Sequence, residues 1–210
     1  MKKGPTMKGC LLGFVLALSF VSCAPSPNIA YTHKDAIKGK YEEPKLAGLH
    51  QKYKASLQDI FGRYHQAAVA IYREGLGFTK LTDRDGQSFY YLMVLVKPSD
   101  LAFDRATTTT EQRLSAVLTR HFDTNLRYMT VRDLEKDDID GLAFGVYWAV
   151  RDFNECPKYG GYLEYAVAYI KKADVISFLD KTASFSEIAK DAEIVTSQSL
   201  KHPVPVRLVD

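Results

Sequence analysis

Two tyrosine-rich runs decide the fold that this 210-residue sequence predicts: GLAFGVYWAVRDF at residues 141–153 and GYLEYAVAYIKK at residues 161–172. Successive side chains of a β-strand point to opposite faces, so each run has two sides of different character. The first run puts its larger apolar residues on one side: Leu142, Phe144, Val146, Trp148 and Val150. Because only a short loop separates the runs, we predict two paired central strands on which every helix of the chain packs.

A helix and a hairpin are predicted before these strands. From Lys45, apolar residues recur at spacings of three and four, which predicts an amphipathic helix that ends at Gly75 or already near Gln66. Residues 77–82 and 87–97 then predict the two strands of a hairpin, joined by an Asp-Arg-Asp-Gly turn.

The middle of the chain alternates between strand and helix signals. Residues 89–96 are apolar without a break, which predicts a strand that is buried on both faces. Thr108 and Glu111 have the spacing of a capping box and predict the start of a further helix. Residues 130–134 predict a short strand before an acidic turn at residues 135–140.

Helical signals return after the second tyrosine-rich run. Residues 172–180 predict one helix, and Ser184 with Glu187 predicts the capped start of another. These elements predict an α+β fold, with an antiparallel or mixed sheet of four to five strands and helices packed mainly on one face. We assign this single domain to residues 45–202, and an extended tail with two prolines to residues 203–210.

The first 22 residues have the features of an export signal. Lys2, Lys3 and Lys8 precede an apolar run at residues 11–21, which is too short to cross a bilayer that needs about 20 helical residues. We therefore predict a signal peptide over residues 1–22. Residues 23–44 carry three prolines and no apolar periodicity, and we predict that they form a flexible tether.

The signal segment ends in Phe20-Val21-Ser22-Cys23, followed by Ala24. This ending resembles the lipobox of bacterial lipoproteins, although the family usually has leucine where this chain has Phe20. The resemblance implies that Cys23 is the lipid attachment site, becomes the first residue of the mature chain and anchors it in a membrane. The alternative is cleavage after Ala24 without a lipid, which would leave Pro25 next to the cut, a position that signal peptidases generally disfavour.

The resemblance also implies a location. A lipoprotein of this kind lies in the cell envelope, and Ala24 in place of aspartate resembles lipoproteins that are sorted to the outer membrane. We therefore expect a lipid-anchored protein of the outer membrane that faces the periplasm or the cell surface.

The distribution of charge argues against nucleic acid as a partner. Three of the 28 basic residues lie in the predicted signal peptide, so the remainder of the chain has 25 basic and 25 acidic residues. A domain without net charge lacks the positive field that holds phosphate backbones. We expect a protein or glycan partner in the envelope instead.

The sequence contains no complete catalytic, metal or cofactor motif. Two Asp-x-Asp-Gly segments, at residues 83–86 and 138–141, lack the further ligands of a calcium loop and predict turns. The five histidines lack the spacing of a zinc site. We therefore expect no cofactor, no metal and no catalysis.

Cys156 is the candidate reactive thiol. Cys10 lies in the predicted signal peptide and Cys23 is the predicted lipid site, so no second thiol remains for an intramolecular disulfide. Cys156 would therefore be buried, free or bridged to another chain. As a nucleophile it would need a base such as His121 within hydrogen-bond reach.

Residues in and around the paired strands form the candidate binding surface: Tyr147, Arg151, Tyr159, Tyr162, Tyr165 and Tyr169. Tyr165 and Tyr169 are four residues apart on one strand and share a face, and Tyr147 on the neighbouring strand can lie opposite them. Tyrosines offer large contact area at a low entropic cost, which suits protein or sugar contacts. The alternative is that these rings pack beneath the helices.

Three functions follow from these patterns. The first is a lipid-anchored cell-envelope protein whose domain binds or organises another envelope component without catalysis. The second is an envelope hydrolase or thiol enzyme centred on the Cys156 loop. The third is a subunit of a secretion or surface assembly in which Cys156 bridges chains.

Overall fold

A computed structural model describes residues 29–98, 101–154 and 161–198. Within these ranges the chain forms one β-sheet of six strands, numbered here in chain order. The strands are β1 (Ile71–Thr82), β2 (Ser88–Val96), β3 (Ala102–Asp104), β4 (Gly141–Arg151), β5 (Tyr162–Lys171) and β6 (Glu193–Thr196).

The helices of the described ranges are α1 (His33–Ala36), α2 (Pro44–Gln66), α3 (Thr110–Ala116), α4 (Asp123–Leu126), α5 (Val131–Leu134), α6 (Lys172–Leu179) and α7 (Phe185–Ile188). A π-helical segment, Val117–Phe122, joins α3 to α4. The predicted capping box is displaced by one residue, because Thr109 is the N-cap and Gln112 closes the box. Thr108 instead donates its hydroxyl to the carbonyl oxygen of Asp104 at 2.6 Å.

The sheet is mixed. Its strand order is β1-β2-β4-β5-β6, and β3 pairs with β4 beyond the end of β2. β4 runs parallel to β2 and β3, whereas the other neighbouring strands are antiparallel. The predicted α+β class with a mixed sheet is therefore confirmed, and the short strands β3 and β6 bring the sheet to six strands.

β4 and β5 form the predicted central pair. Tyr147 lies opposite Tyr165 in their antiparallel register, and the large apolar side chains of β4 are buried. The prediction that every helix packs on this pair is wrong for α2. That helix lies over β1, where the ring centroids of Tyr53 and Phe78 are 6.0 Å apart.

The helices pack on one face of the sheet, the covered face, which carries Phe78 of β1 and Phe144 of β4. Phe122 of the π-helical segment packs edge-on against Phe144, with ring centroids 5.4 Å apart. Phe185 of α7 lies 5.5 Å from Phe122, and Phe178 of α6 lies 6.4 Å from Phe185. These contacts agree with helices placed mainly on one face, and the opposite side of the sheet is called the open face.

A buried ion pair joins α3 to the central strands. The guanidinium of Arg113 donates to both carboxylate oxygens of Glu164, at 2.9 and 2.7 Å, and Trp148 Nε1 donates to the same carboxylate at 2.9 Å. Arg113 and Glu164 are only 3% and 2% exposed. Each buried charge therefore has its partner, as burial in a low-dielectric interior requires.

Residues 29–43, which the sequence patterns assigned to a flexible tether over residues 23–44, belong to the folded domain. Backbone bonds run from Ala30 N–H to the Ile71 carbonyl at 2.9 Å and from Lys38 N–H to the Leu76 carbonyl at 2.8 Å. The side-chain oxygen of Tyr41 accepts a hydrogen bond from the Phe78 N–H at 3.1 Å. This segment satisfies the outer edge of β1, which would otherwise present unpaired backbone groups.

Three further local predictions are resolved. α2 ends at Gln66, the earlier of its two predicted ends, and β1 already begins at Ile71. Residues 131–134 form the helical turn α5 and not a strand. The Thr130 N–H donates to the Asp133 carboxylate at 2.8 Å, which is the reciprocal bond of a helix cap.

Gly141→Ala tests the close packing of β4 on β5. A Cβ atom at this position would collide with the carbonyl oxygen of Ile170. That oxygen belongs to the backbone, so it cannot move aside as the end of a flexible side chain could. We expect this overpacking to lower the free energy of unfolding by about 1–3 kcal/mol, measured by urea denaturation.

Gly48→Ala in α2 is the matched control, since nothing lies within 4 Å of its Cβ position. Alanine in a helix interior should raise stability by up to about 1 kcal/mol. If the two substitutions had the same effect on the urea midpoint, the packing account of Gly141 would be refuted.

Candidate functional site

The open face carries half-buried aromatic and aliphatic side chains from neighbouring strands. Besides the tyrosines, the half-buried side chains of this face include Leu81, Phe89, Met93, Leu95, Leu163, Val167 and Val195. The unbroken apolar run of β2 predicted burial on both faces, but Met93 and Leu95 are only half-buried. The reason is that the helices described above pack on the other side.

Three tyrosines with neighbouring rings cross the open face, Tyr72, Tyr147 and Tyr165, and we call them the tyrosine ladder. The ring centroids of Tyr72 and Tyr147 are 4.3 Å apart and nearly parallel, at 18°. Tyr147 and Tyr165 follow at 5.2 Å and 32°. Tyr72 enters from β1 at an irregularity in which Glu74 has a φ of 56°, and such bulges re-aim side chains.

A second aromatic pair lies further along the same face. Tyr91 of β2 and Tyr169 of β5 meet edge to face, with ring centroids 5.2 Å apart and an interplanar angle of 81°. Gly145 lies between the ladder and this pair, and its missing side chain is replaced by neighbours: a Cβ there would be 2.6 Å from Leu95 and 2.9 Å from Val167. Aliphatic side chains therefore form a continuous floor between the two sets of rings.

Burial on the open face raises the pKa of Tyr147 and of Tyr169. Burial raises the pKa of Tyr147 to about 12, and the neighbouring Tyr72 and Tyr165 add to the shift. Burial also raises the pKa of Tyr169, whereas a hydrogen bond with Thr79 opposes the shift. A neutral phenol combines a wide apolar ring with a hydroxyl that can donate or accept a hydrogen bond.

A groove of about 640 Å³ opens at the end of the open face next to α6. Its apolar walls come from Leu81, Phe89, Tyr91, Tyr169 and Ile176, and charged residues form its rim. Tyr169 belongs to both the groove and the strand that carries Tyr165, so the groove continues the aromatic surface.

The structure brings together part of the predicted binding surface. Tyr147, Tyr165 and Tyr169 share the open face, and their ring partners are other tyrosines and not helix residues. Arg151 ends β4 on the same face, exposed, with its guanidinium 5.2 Å from the Phe153 ring. Tyr162 is 46% exposed but pairs with Val150 and so lies on the covered side of β5.

The other predicted site residues, Cys23, Cys156 and Tyr159, lie outside the described residues. The sequence patterns did not single out Tyr72 or Tyr91. Tyr91 lies in the strand predicted from residues 87–97, and its alternation could have placed it on either side. Tyr72 depends on the bulge in β1, which no sequence signal announced.

In the described ranges, no three His, Cys, Asp or Glu side chains are grouped so that they could hold a metal ion. No helix in the part of the chain that the structure describes is long and apolar enough to cross a membrane.

Comparison with known proteins adds no relative. No family model matches this chain, and neither a characterised protein nor a solved structure matches it.

Tyr147→Phe tests the environment of the ladder. The unfolded tyrosine ionises near its usual pKa of 10.0 and the folded one has a pKa of about 12, so the unfolded state loses its proton first as the pH rises. The contribution of Tyr147 is therefore complete below about pH 10 and is lost as the pH rises towards 12. We expect wild-type protein to lose more stability than Tyr147→Phe between about pH 10 and pH 12, measured by urea denaturation.

Tyr31→Phe, at a residue that is 52% exposed, serves as the control and should follow the wild-type profile. Identical pH profiles for wild type and Tyr147→Phe would show that Tyr147 is not held in the ladder as described.

Proposed function

We propose that this protein is a lipid-anchored cell-envelope protein whose α+β domain binds another envelope component, a protein or a glycan, through the open face and without catalysis. The observation that supports the proposal is the composition of that face. A sheet face turned to water normally carries polar residues in alternation with the buried ones. Here tyrosines and aliphatic side chains take those positions on neighbouring strands, opposite the helices.

Tyrosine is well suited to this role. The Tyr147 ring packs against those of both Tyr72 and Tyr165, and such packing restricts the rotamers of the rings before a partner binds, which lowers the entropic cost of binding. Aromatic residues are enriched in protein interfaces, and contiguous apolar surface on a soluble domain marks an interaction site. Arg151, at the end of β4, adds a cation at the margin of the surface.

The lipid anchor is the second part of the proposal. It rests on the basic start of the signal segment, its short apolar run and the lipobox-like Phe20-Val21-Ser22-Cys23. An acylated Cys23 would hold the domain at the outer membrane, facing the periplasm or the cell surface. Two or more acyl chains give stable anchoring, because each buried methylene contributes about 0.8 kcal/mol.

Cys23→Ser tests the anchor. We expect the wild-type protein to fractionate with membranes and to carry acyl chains at its N-terminus, measured by intact mass after detergent extraction. The variant should lose the acyl mass and the membrane association, because serine supplies no thiol for the thioether. Cys156→Ser is the control and should keep both, and a mature wild-type chain that begins at Pro25 without lipid would overturn the proposal.

A photoreactive phenylalanine analogue in place of Tyr165 tests the binding face in the native envelope. We expect it to cross-link to one discrete envelope component, since it replaces one rung of the ladder with a ring of similar size. The measurement is the mass of the cross-linked species after electrophoresis.

The same analogue in place of Gln58, which is exposed on α2, serves as the control and should give at least tenfold less product. A Tyr147→Asp substitution should reduce cross-linking from position 165, because it puts a charge into the ladder. Equal products from positions 165 and 58, or none from 165, would count against the open face as the binding surface.

A further inference from the structure

The groove at the α6 end of the open face has apolar walls and an acidic rim. The charged residues that line it are Asp83, Asp140, Asp191, Glu193, Lys171 and Lys172. Carboxylates therefore outnumber ammonium groups by four to two around an opening whose remaining lining is mostly aromatic and aliphatic. The chain from residue 23 onward has no net charge, so this excess is a local feature of the groove.

The basic groups of the rim are partly committed elsewhere. The ammonium of Lys172 donates to the Lys136 carbonyl oxygen at 2.8 Å, and the Lys172 N–H donates to the Asp140 carbonyl at 2.9 Å. The first backbone donor of α6 is thus already bonded. An anionic ligand would meet four carboxylates here, with Lys171 as the main cation to receive it.

The carboxylates lie beside the aromatic walls. Glu193 of β6 pairs with Tyr169 of β5 in the antiparallel register, which puts the carboxylate next to the Tyr91–Tyr169 pair. The charges of Asp140 and Glu193 add to the burial that raises the pKa of Tyr91. Asp140 also accepts a hydrogen bond from the Tyr90 N–H at 2.7 Å, which fixes its position at the mouth of the groove.

This arrangement has the features that a lysine or arginine side chain requires. An aromatic face attracts a cation, and carboxylates hold it by charge-assisted hydrogen bonds. The apolar walls can receive the methylene stem that leads to the charged head. Because the two rings meet edge to face, both are held in place before any ligand arrives.

We propose that this groove receives a lysine or arginine side chain of a polypeptide partner that lies on the open face. The inference rests on the proposed function, because it assigns a chemistry to one end of the same surface. Tyr165 and Tyr169 lie on the same face of β5, so a segment bound across the ladder can place one basic side chain in the groove. The partner is therefore a protein with a basic residue next to its apolar contact residues.

The test uses the full mature protein in detergent and the dipeptide amide N-acetyl-Phe-Lys as the probe, followed by NMR titration. Matched probes carry norleucine or glutamate in place of lysine. We expect the lysine probe to bind at least fivefold more tightly than the norleucine probe and to shift resonances of Tyr91, Tyr169 and Glu193. The glutamate probe should bind least.

Two variants locate the effect. Asp191→Asn, in an exposed turn, and Glu193→Gln should each reduce the preference for lysine over norleucine, whereas Asp59→Asn on the exposed side of α2 should not. Equal binding of the three probes, a preference for glutamate, or a lysine preference that survives both variants would overturn the inference.

Cross-linking from position 165 separates this inference from the proposed function. If the Asp191→Asn and Glu193→Gln double variant cross-links its partner as well as the wild type does, the basic residue in the groove is refuted while the open face stands. If the lysine probe is preferred but position 165 captures nothing, the groove stands and the partner surface fails.

Discussion

The buried ion pair between Arg113 and Glu164 joins α3 to β5 on the covered face of the sheet. Glu164 sits on β5 between Arg113 of α3 and the Trp148 indole of β4, and all three are shielded from water. Loss of either charged partner would leave the other buried and unpaired, a cost of about 3–5 kcal/mol. Helices on the opposite face would expose Glu164 to water together with Phe144 and Trp148, which are buried here, and the lost burial of those large apolar side chains opposes that arrangement. The tyrosines consequently lie on the face that the helices of the described residues leave uncovered.

Much of the fold could be predicted because the local spacing of apolar residues indicates most of its helices and strands. Alternation along residues 141–153 and 161–172 correctly divides Trp148 and Glu164 from Tyr147 and Tyr165. The amphipathic spacing of α2 and the capping pair of Ser184 with Glu187 are likewise local and correct. β3 and β6 were missed because strands of three and four residues carry almost no periodic signal and exist through pairing with distant neighbours.

The candidate site was predictable only in part, since strand alternation gives a face but not its cover. Tyr147, Tyr165 and Tyr169 could be grouped on one face from the sequence. That grouping was consistent both with rings covered by helices and with rings exposed to solvent. The choice depends on long-range contacts such as Phe122 with Phe144. Tyr162 was misplaced although alternation already puts it on the opposite face of β5 from Tyr165, as the register with Val150 shows. The groove could not be predicted, because it joins β6 and α6 to a distant hairpin.

The hydrogen bond from the Ala30 N–H to the Ile71 carbonyl attaches the segment before α1 to the first residue of β1. The bridge between Ile29 and Tyr72 fixes the chain at the rim of the tyrosine ladder. From an acylated Cys23, only five residues would lead to that point, and a chain this short reaches about 20 Å at full extension. If Cys23 is acylated as proposed, this tether is short, and a partner would have to come within roughly one domain's width of the lipid headgroups to reach the tyrosine ladder. An anchored domain would therefore bind only components in a thin layer above the bilayer, and components further from the membrane would lie outside its reach.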